Sequence, residues 1–147
     1  EDEAMLKKLA IDLGVDDRVI FTGKVDRSVV TLYRRASDIF VAPSRSEGLG
    51  NAFISALASR LPLIATQVGG MADYVFDKEY NPDKNATAWV VEPDAPEQIT
   101  AKVLEILAHP EKAKEISAYS RKIVEQKYDW DNIAKDMRTK VFGKVLK

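Results

Sequence analysis

The chain has 147 residues, 46% hydrophobic and 31% charged, the balance of an ordinary globular domain large enough to bury a core. Lysine plus arginine (22) nearly cancels aspartate plus glutamate (23), which leaves no electrostatic footprint for nucleic acid or an anionic membrane. The absence of cysteine removes disulfides and thiolate metal sites and fits a reducing, cytoplasmic compartment. No apolar run approaches the ~20 residues that span a bilayer. The opening Glu1-Asp2-Glu3-Ala4-Met5 resembles neither a signal peptide nor a natural start, so a piece of a longer protein is expected.

Apolar side chains at helical spacing (Met5, Leu6, Leu9, Ile11, Leu13) predict a helix over residues 2–14, closed by Gly14. Arg18-Val19-Ile20-Phe21-Thr22 reads as a short strand between Asp16-Asp17 and Gly23. Asp26 or Ser28 caps a helix to Ala36, and Asp38–Ala42 is the second strand. A helix from about Asn51 to Ser59 carries Ala52, Ser55, Ala56, Ala58 and Ser59, small residues that suit close packing on a sheet. Leu61–Ala65 is the third strand, and Val68-Gly69-Gly70-Met71 turns into a short helix through Tyr74. Residues 76–87 read as a polar surface excursion, and Ala88–Val91 as a fourth strand. Pro93-Asp94-Ala95-Pro96 opens a helix over Glu97–Leu107. His109-Pro110 separates it from Glu111–Lys127, and a last helix begins near Asp129 or Asp131.

Strands alternating with helices predict an α/β fold with a parallel, Rossmann-like sheet covered on both faces. Ligands in such sheets gather at the carboxyl ends of strands. The loop Pro43-Ser44-Arg45-Ser46-Glu47-Gly48-Leu49-Gly50-Asn51 and the Gly69-Gly70 turn both follow strands, so they are expected to line one crevice. The first loop places an acid beside the amides that open a helix, where free donors and the positive end of a dipole can hold a phosphate. A carboxylate there is repelled by phosphate unless it has another task, such as binding the hydroxyls of an attached sugar. The same residues also suit a plain strand-to-helix turn, with glycines for positive φ and an acid at the helix dipole. The pattern is neither a Walker loop nor a dinucleotide fingerprint, because the lysine and the third glycine are missing.

Other signals carry less. His109 is the single histidine and stands in a helix connection, and no carboxylate cluster has metal-ligand spacing. Ser44, Ser46 and Ser55 have no histidine partner nearby in sequence. Asn85-Ala86-Thr87 matches a glycosylation acceptor in a chain with no sign of secretion, and Trp89 and Trp130 read as packing or capping residues.

Taken in order, Arg18-Val19-Ile20-Phe21-Thr22-Gly23-Lys24-Val25, Leu32–Ser44, Glu47-Gly48-Leu49-Gly50, Leu61–Thr66, Val68-Gly69-Gly70, Val90-Val91-Glu92-Pro93 and Tyr128-Asp129-Trp130 resemble the C-terminal half of retaining glycosyltransferases of family 4. The resemblance implies a GT-B architecture, with two Rossmann-like domains facing across a cleft and the C-terminal one binding a nucleotide-sugar donor of the UDP- or GDP-sugar class. It implies that Glu47, the catalytic candidate, contacts donor-sugar hydroxyls. Gly48, Leu49, Gly50, Asn51 and Ala52 would face the distal phosphate, and Ile20, Gly23 and Val25 would lie near the nucleobase. No metal and no cofactor are expected, because amides aimed at the departing diphosphate can stabilise its charge.

Three departures from the family pattern stand out. The second acid of the pattern, eight residues after Glu47, is Ser55, so the ribose end of the donor site loses a charge-assisted bond of roughly 1.5–3 kcal/mol. Arg60 replaces a glycine at a helix end suited to the left-handed conformation, and another glycine is replaced near Thr87-Ala88. The chain is therefore expected to be one partial donor-binding domain over residues 1–147. The acceptor domain, the first donor-domain strand and its cationic clamp are expected to be absent, along with any peripheral membrane contact made by the acceptor domain. Such a piece should be catalytically silent. A non-catalytic nucleotide-sugar-binding or interaction module, and a nucleotide-sugar epimerase of the same fold, stay open beside the transferase reading.

Overall fold

Three short parallel strands form the sheet at the centre of the fold: β1 (Phe40–Ala42), β2 (Leu63–Ala65) and β3 (Trp89–Val90), in the order β1-β2-β3. The structure is a computed structural model and describes residues 2–145. Phe40 faces Leu63 and Ala42 faces Ala65 across the first pair, while Ile64 faces Trp89 across the second. Helices follow as α1 (Asp2–Asp12), α2 (Arg27–Ala36), α3 (Asn51–Ala58), α4 (Pro96–Ala108), α5 (Pro110–Tyr128), α6 (Trp130–Asp136) and α7 (Gly143–Val145).

The chain divides into two compact units, the first ending at Tyr33 and the second beginning at Arg34. In the first unit α1 is followed by a single 3-10 turn, Asp16–Arg18, and by residues 19–25, to which no strand is assigned. The strand expected at Arg18–Thr22 is therefore corrected: Arg18 closes the turn and Ile20 is 84% exposed. β-branched residues favour an extended backbone, but a strand exists only where a neighbour supplies the hydrogen-bond ladder. No such ladder to this segment is present among the described residues.

In the second unit the sheet is covered on both faces, as its unbroken apolar strands require. Side chains of successive strand residues point to opposite faces, and the packing follows that alternation. Leu63, Ala65 and Val90 pack with Phe53 and Leu57 of α3 and Val124 of α5. Ile64 and Trp89 pack with Ile106 of α4 and Ala113 of α5. Each large side chain buried this way contributes about 1.5–3 kcal/mol. Ala56 of α3 is fully buried, the close helix-to-sheet approach that the small residues foretold.

The excursion over residues 76–87 is corrected in part. Its tip is polar and exposed, but Asp77 and Thr87 are buried. The Asp77 carboxylate accepts the amides of Glu79 (2.9 Å) and Val90 (3.1 Å) and lies 3.4 Å from Lys102 Nζ. The Thr87 hydroxyl donates to Tyr74 O at 2.6 Å and accepts the Phe76 amide at 2.8 Å. Helix boundaries follow the sequence signals closely: Pro96 and Pro110 open their helices, and the Asp129 side chain caps α6 through the amides of Asp131 and Asn132. Trp130 neither packs nor caps; it is 80% exposed. Between α6 and α7 the backbone widens into a π-helical stretch, Met137–Phe142.

Candidate functional site

The carboxyl ends of β1 and β2 release two loops that are locked together. After Ala42 the chain passes through Pro43 to Gly50 and enters α3, and after Ala65 it passes through Thr66 to a 3-10 segment, Gly69–Asp73. Thr66 ties them at the base by donating its hydroxyl to Ser44 O at 2.6 Å. Higher up, the Gly70 amide donates to Gly48 O at 2.9 Å. The two backbones approach so closely that a Cβ on Gly69 would lie 1.9 Å from Glu47 O, and one on Gly70 would lie 2.6 Å from Gly48 O. The two glycine turns expected to share one crevice do lie against each other, and the glycines are required by contact as well as by the φ of +55° at Gly69.

Gly50 is the hinge into the helix. It takes φ +72° and stands as the N-cap of α3 with no side-chain cap. A Cβ there would meet Tyr74 Oη at 2.7 Å. Its carbonyl accepts the amides of Phe53 (2.9 Å) and Ile54 (3.1 Å), which starts the helical ladder and leaves the preceding amides without a helical partner. Asn51 and Ala52 are exposed, so this end of α3 opens to solvent. Glu47 is partly exposed beside it, its Oε1 accepting the Gly48 amide at 3.1 Å. Gly48 and Leu49 are exposed, and Gly50 is buried.

Ser55 sits one turn along α3, where its hydroxyl donates to Asn51 O at 2.7 Å. That proton is committed to the helix backbone, so the oxygen is left to accept. Ile20, Gly23 and Val25 belong to the first unit, where Ile20 is exposed, Gly23 takes φ +58° and Val25 is partly buried. The second-unit candidates Glu47, Gly48, Leu49, Gly50, Asn51, Ala52 and Ser55 form one continuous loop and helix start.

Two groups that the sequence did not single out shape this site. Tyr74 is fully buried and donates its hydroxyl to Leu49 O at 2.6 Å, while its ring meets Tyr128 edge-on at 5.6 Å. Burial, then the neighbouring Tyr128 and Glu47, push its ionisation far above the usual phenol range. Arg45 pairs with Asp94 through Nε (2.9 and 3.0 Å to the two carboxylate oxygens) and Nη2 (2.8 Å), linking the loop after β1 to the loop after β3. A tyrosine four residues after a glycine pair was the one available hint of the first. The second joins residues 49 positions apart, beyond any local pattern.

Among the described residues, no three His, Asp, Glu or Cys side chains cluster at metal-binding distance. No helix among them is long and apolar enough to cross a membrane.

The family model described as "Glycosyl transferases group 1" matches residues 1–123. A GDP-mannose-dependent alpha-(1-6)-phosphatidylinositol monomannoside mannosyltransferase of Mycobacterium tuberculosis is 32% identical over 136 residues, covering 88% of this chain and 34% of the relative. Sucrose-phosphate synthase from Thermosynechococcus elongatus superposes with a TM-score of 0.83 at 27% identity, over 99% of this chain and 34% of that one. An Anabaena protein solved in complex with UDP-glucose has the same fold, with a TM-score of 0.82 at 18% identity over 95% of this chain and 36% of its own. The chain spans about a third of the length of these relatives.

Proposed function

Because the chain belongs to the glycosyl transferases group 1 family, we propose that it is the donor-binding part of a retaining glycosyltransferase and binds a nucleotide sugar across the Glu47 loop. The observation that carries this reading is the pairing of a partly exposed carboxylate with an uncapped, solvent-open helix start on one interlocked loop. A diphosphate suits the amides from Gly48 to Ala52, where the helix dipole and the uncapped helix start favour negative charge and the Gly48 amide would exchange Glu47 Oε1 for a phosphate oxygen. Glu47, one step earlier, is then placed for the hydroxyls of the sugar that the diphosphate carries. The family resemblance and the UDP-glucose held by the Anabaena protein support the ligand class.

Transfer breaks the bond between the anomeric carbon and the phosphate oxygen, and negative charge builds on the departing diphosphate. Amides fixed in direction before the reaction stabilise that charge without reorganising. In this reading no metal is required, and retention follows from attack by the acceptor on the face the diphosphate leaves. The family resemblance alone assigns Ile20, Gly23 and Val25 of the first unit to the base. The chain spans about a third of its relatives' length, and in this reading acceptor binding and the cationic clamp on the diphosphate belong to the remainder of such a protein, so this chain alone is expected to bind donor weakly and transfer nothing.

The test is an amide-resolved NMR titration with UDP, GDP and ADP. Shifts centred on residues 48–52 are the expected result, and their absence at about 10 mM nucleotide, weaker than any useful binding energy, would sink the donor-site reading. Turnover by a protein of its relatives' full length that contains this chain, measured with and without EDTA, tests the metal-independent part.

A second reading, a non-catalytic binding module, draws on the Ser55 hydroxyl, whose proton is already engaged by Asn51 O. In that case the full protein binds nucleotide sugar without transferring it, and product analysis separates transfer, epimerisation and silence.

A further inference from the structure

At the amino ends of β1 and β2, opposite the Glu47 loop, lies a cavity of about 530 Å3. Asp38 and Ile39 approach it from just before β1, and Leu61 and Pro62 from just before β2, with α4 and the start of α5 closing it. Four cationic side chains line it (Arg34, Arg35, Arg60 and Lys114) against a single carboxylate, Asp38. Lys114 is partnered by Glu111 at 2.8 Å, while Arg34, Arg35 and Arg60 have no acidic partner within ion-pair distance among the described residues.

Two polar atoms in this wall are buried and unpaired: Nε of Arg34 and Oγ of Ser117. Ser117 is 3% exposed. Buried polar atoms in folded proteins nearly always have a partner, because an unmet donor forfeits its hydration without return. Arg60 adds a third oddity, a bulky residue held at φ +60° where glycine is the unstrained choice. Ile39, Leu61 and Ile106 give the same cavity an apolar side.

We propose that this cavity binds an organic phosphate monoester, its phosphate among Arg34, Arg60 and Ser117 and its apolar body against Ile39, Leu61 and Ile106. Phosphate suits the lining because it offers three acceptor oxygens to donors arriving from three different elements, α2, the α3–β2 connection and α5. The volume lies within the range of small-ligand sites. The site stands on its own residues, at the other end of the strands from the donor loop, and does not depend on the reading given above.

The test uses the 147-residue chain with phenyl phosphate as probe, followed by amide NMR and calorimetry. Expected are shifts near Asp38, Arg60 and Ser117, binding stronger than that of inorganic phosphate, and no displacement by UDP. Two variants separate binding from folding. Ser117→Ala removes an unsatisfied hydroxyl and Arg60→Gly relieves a strained backbone, so each is expected to raise the melting temperature. Each is also expected to weaken phenyl phosphate about tenfold, the low end for a charge-assisted hydrogen bond. Unchanged affinity in both variants overturns the proposal, as do equal shifts with benzyl alcohol, equal affinity for benzoate, or displacement by UDP.

Discussion

Tyr74 holds Leu49 by its backbone: the buried phenol donates to the Leu49 carbonyl at 2.6 Å, from a residue 25 positions further along the chain. The hydrogen bond fixes the loop just before it turns at Gly50 into α3, so the phenol sets the aim of the amides that follow. Tyr74→Phe should cost about 1–3 kcal/mol, the penalty for leaving a carbonyl without its donor. Urea unfolding measures the loss, and nucleotide affinity should fall with it.

The same phenol sets an alkaline limit. Its ionisation is raised in the folded protein, first by burial, so the native state keeps a proton that the unfolded chain releases near pH 10. The native state then binds more protons, and stability falls as pH rises. The stabilising contribution is complete below about pH 10 and is lost above it. Denaturation series from pH 7 to pH 11 should show this decline, and Tyr74→Phe should flatten it.

Glycines of the two loops should respond unequally to one added methyl. Gly69→Ala drives a Cβ into Glu47 O at a positive φ, and should cost at least about 2–4 kcal/mol or abolish folding. Gly48→Ala has nothing within 4 Å of the new carbon and no positive φ, so its melting temperature should change little. Circular dichroism melts compare the two directly.

Restoring an acid at position 55 tests the ribose end of the proposed donor site. Ser55→Glu should tighten UDP or GDP binding by about tenfold or more, the worth of a charge-assisted hydrogen bond. A change in stability with no change in affinity favours the non-catalytic module instead.

Asp77 should behave as a core residue despite its place in a polar stretch. Asp77→Ala strands the Val90 amide and takes a counter-charge from the mostly buried Lys102, and should cost roughly 2–4 kcal/mol. Glu79→Ala, at the exposed end of the same cluster, should stay under about 1 kcal/mol.

Much of this organisation was legible from local chemistry. Apolar runs marked β1, β2 and β3, prolines marked the starts of α4 and α5, and the glycine turns after β1 and β2 marked where two loops meet. Arg60 was legible too: a helix end suited to the left-handed conformation carries an arginine, and the backbone there adopts φ +60°. What escaped depends on partners far away in sequence. Residues 18–22 carry strand residues without a neighbouring ladder. Asp77 and Thr87 look like loop polars until Val90, Lys102 and Tyr74 are placed beside them. Trp130 has the size of a core residue and points to water, which no spacing rule reveals.

The contact between Gly69 and Glu47 has a practical consequence for anyone reshaping the Glu47 loop. Positions 47 and 69 behave as one structural unit, since the backbone path of the first exists only while the second lacks a side chain. A library that diversifies this loop should therefore spend its variation on solvent-facing positions such as Ser46, Asn51 and Ala52. Gly50, Gly69 and Gly70 should stay fixed, because variants there are lost at the folding step before any selection for ligand preference can act.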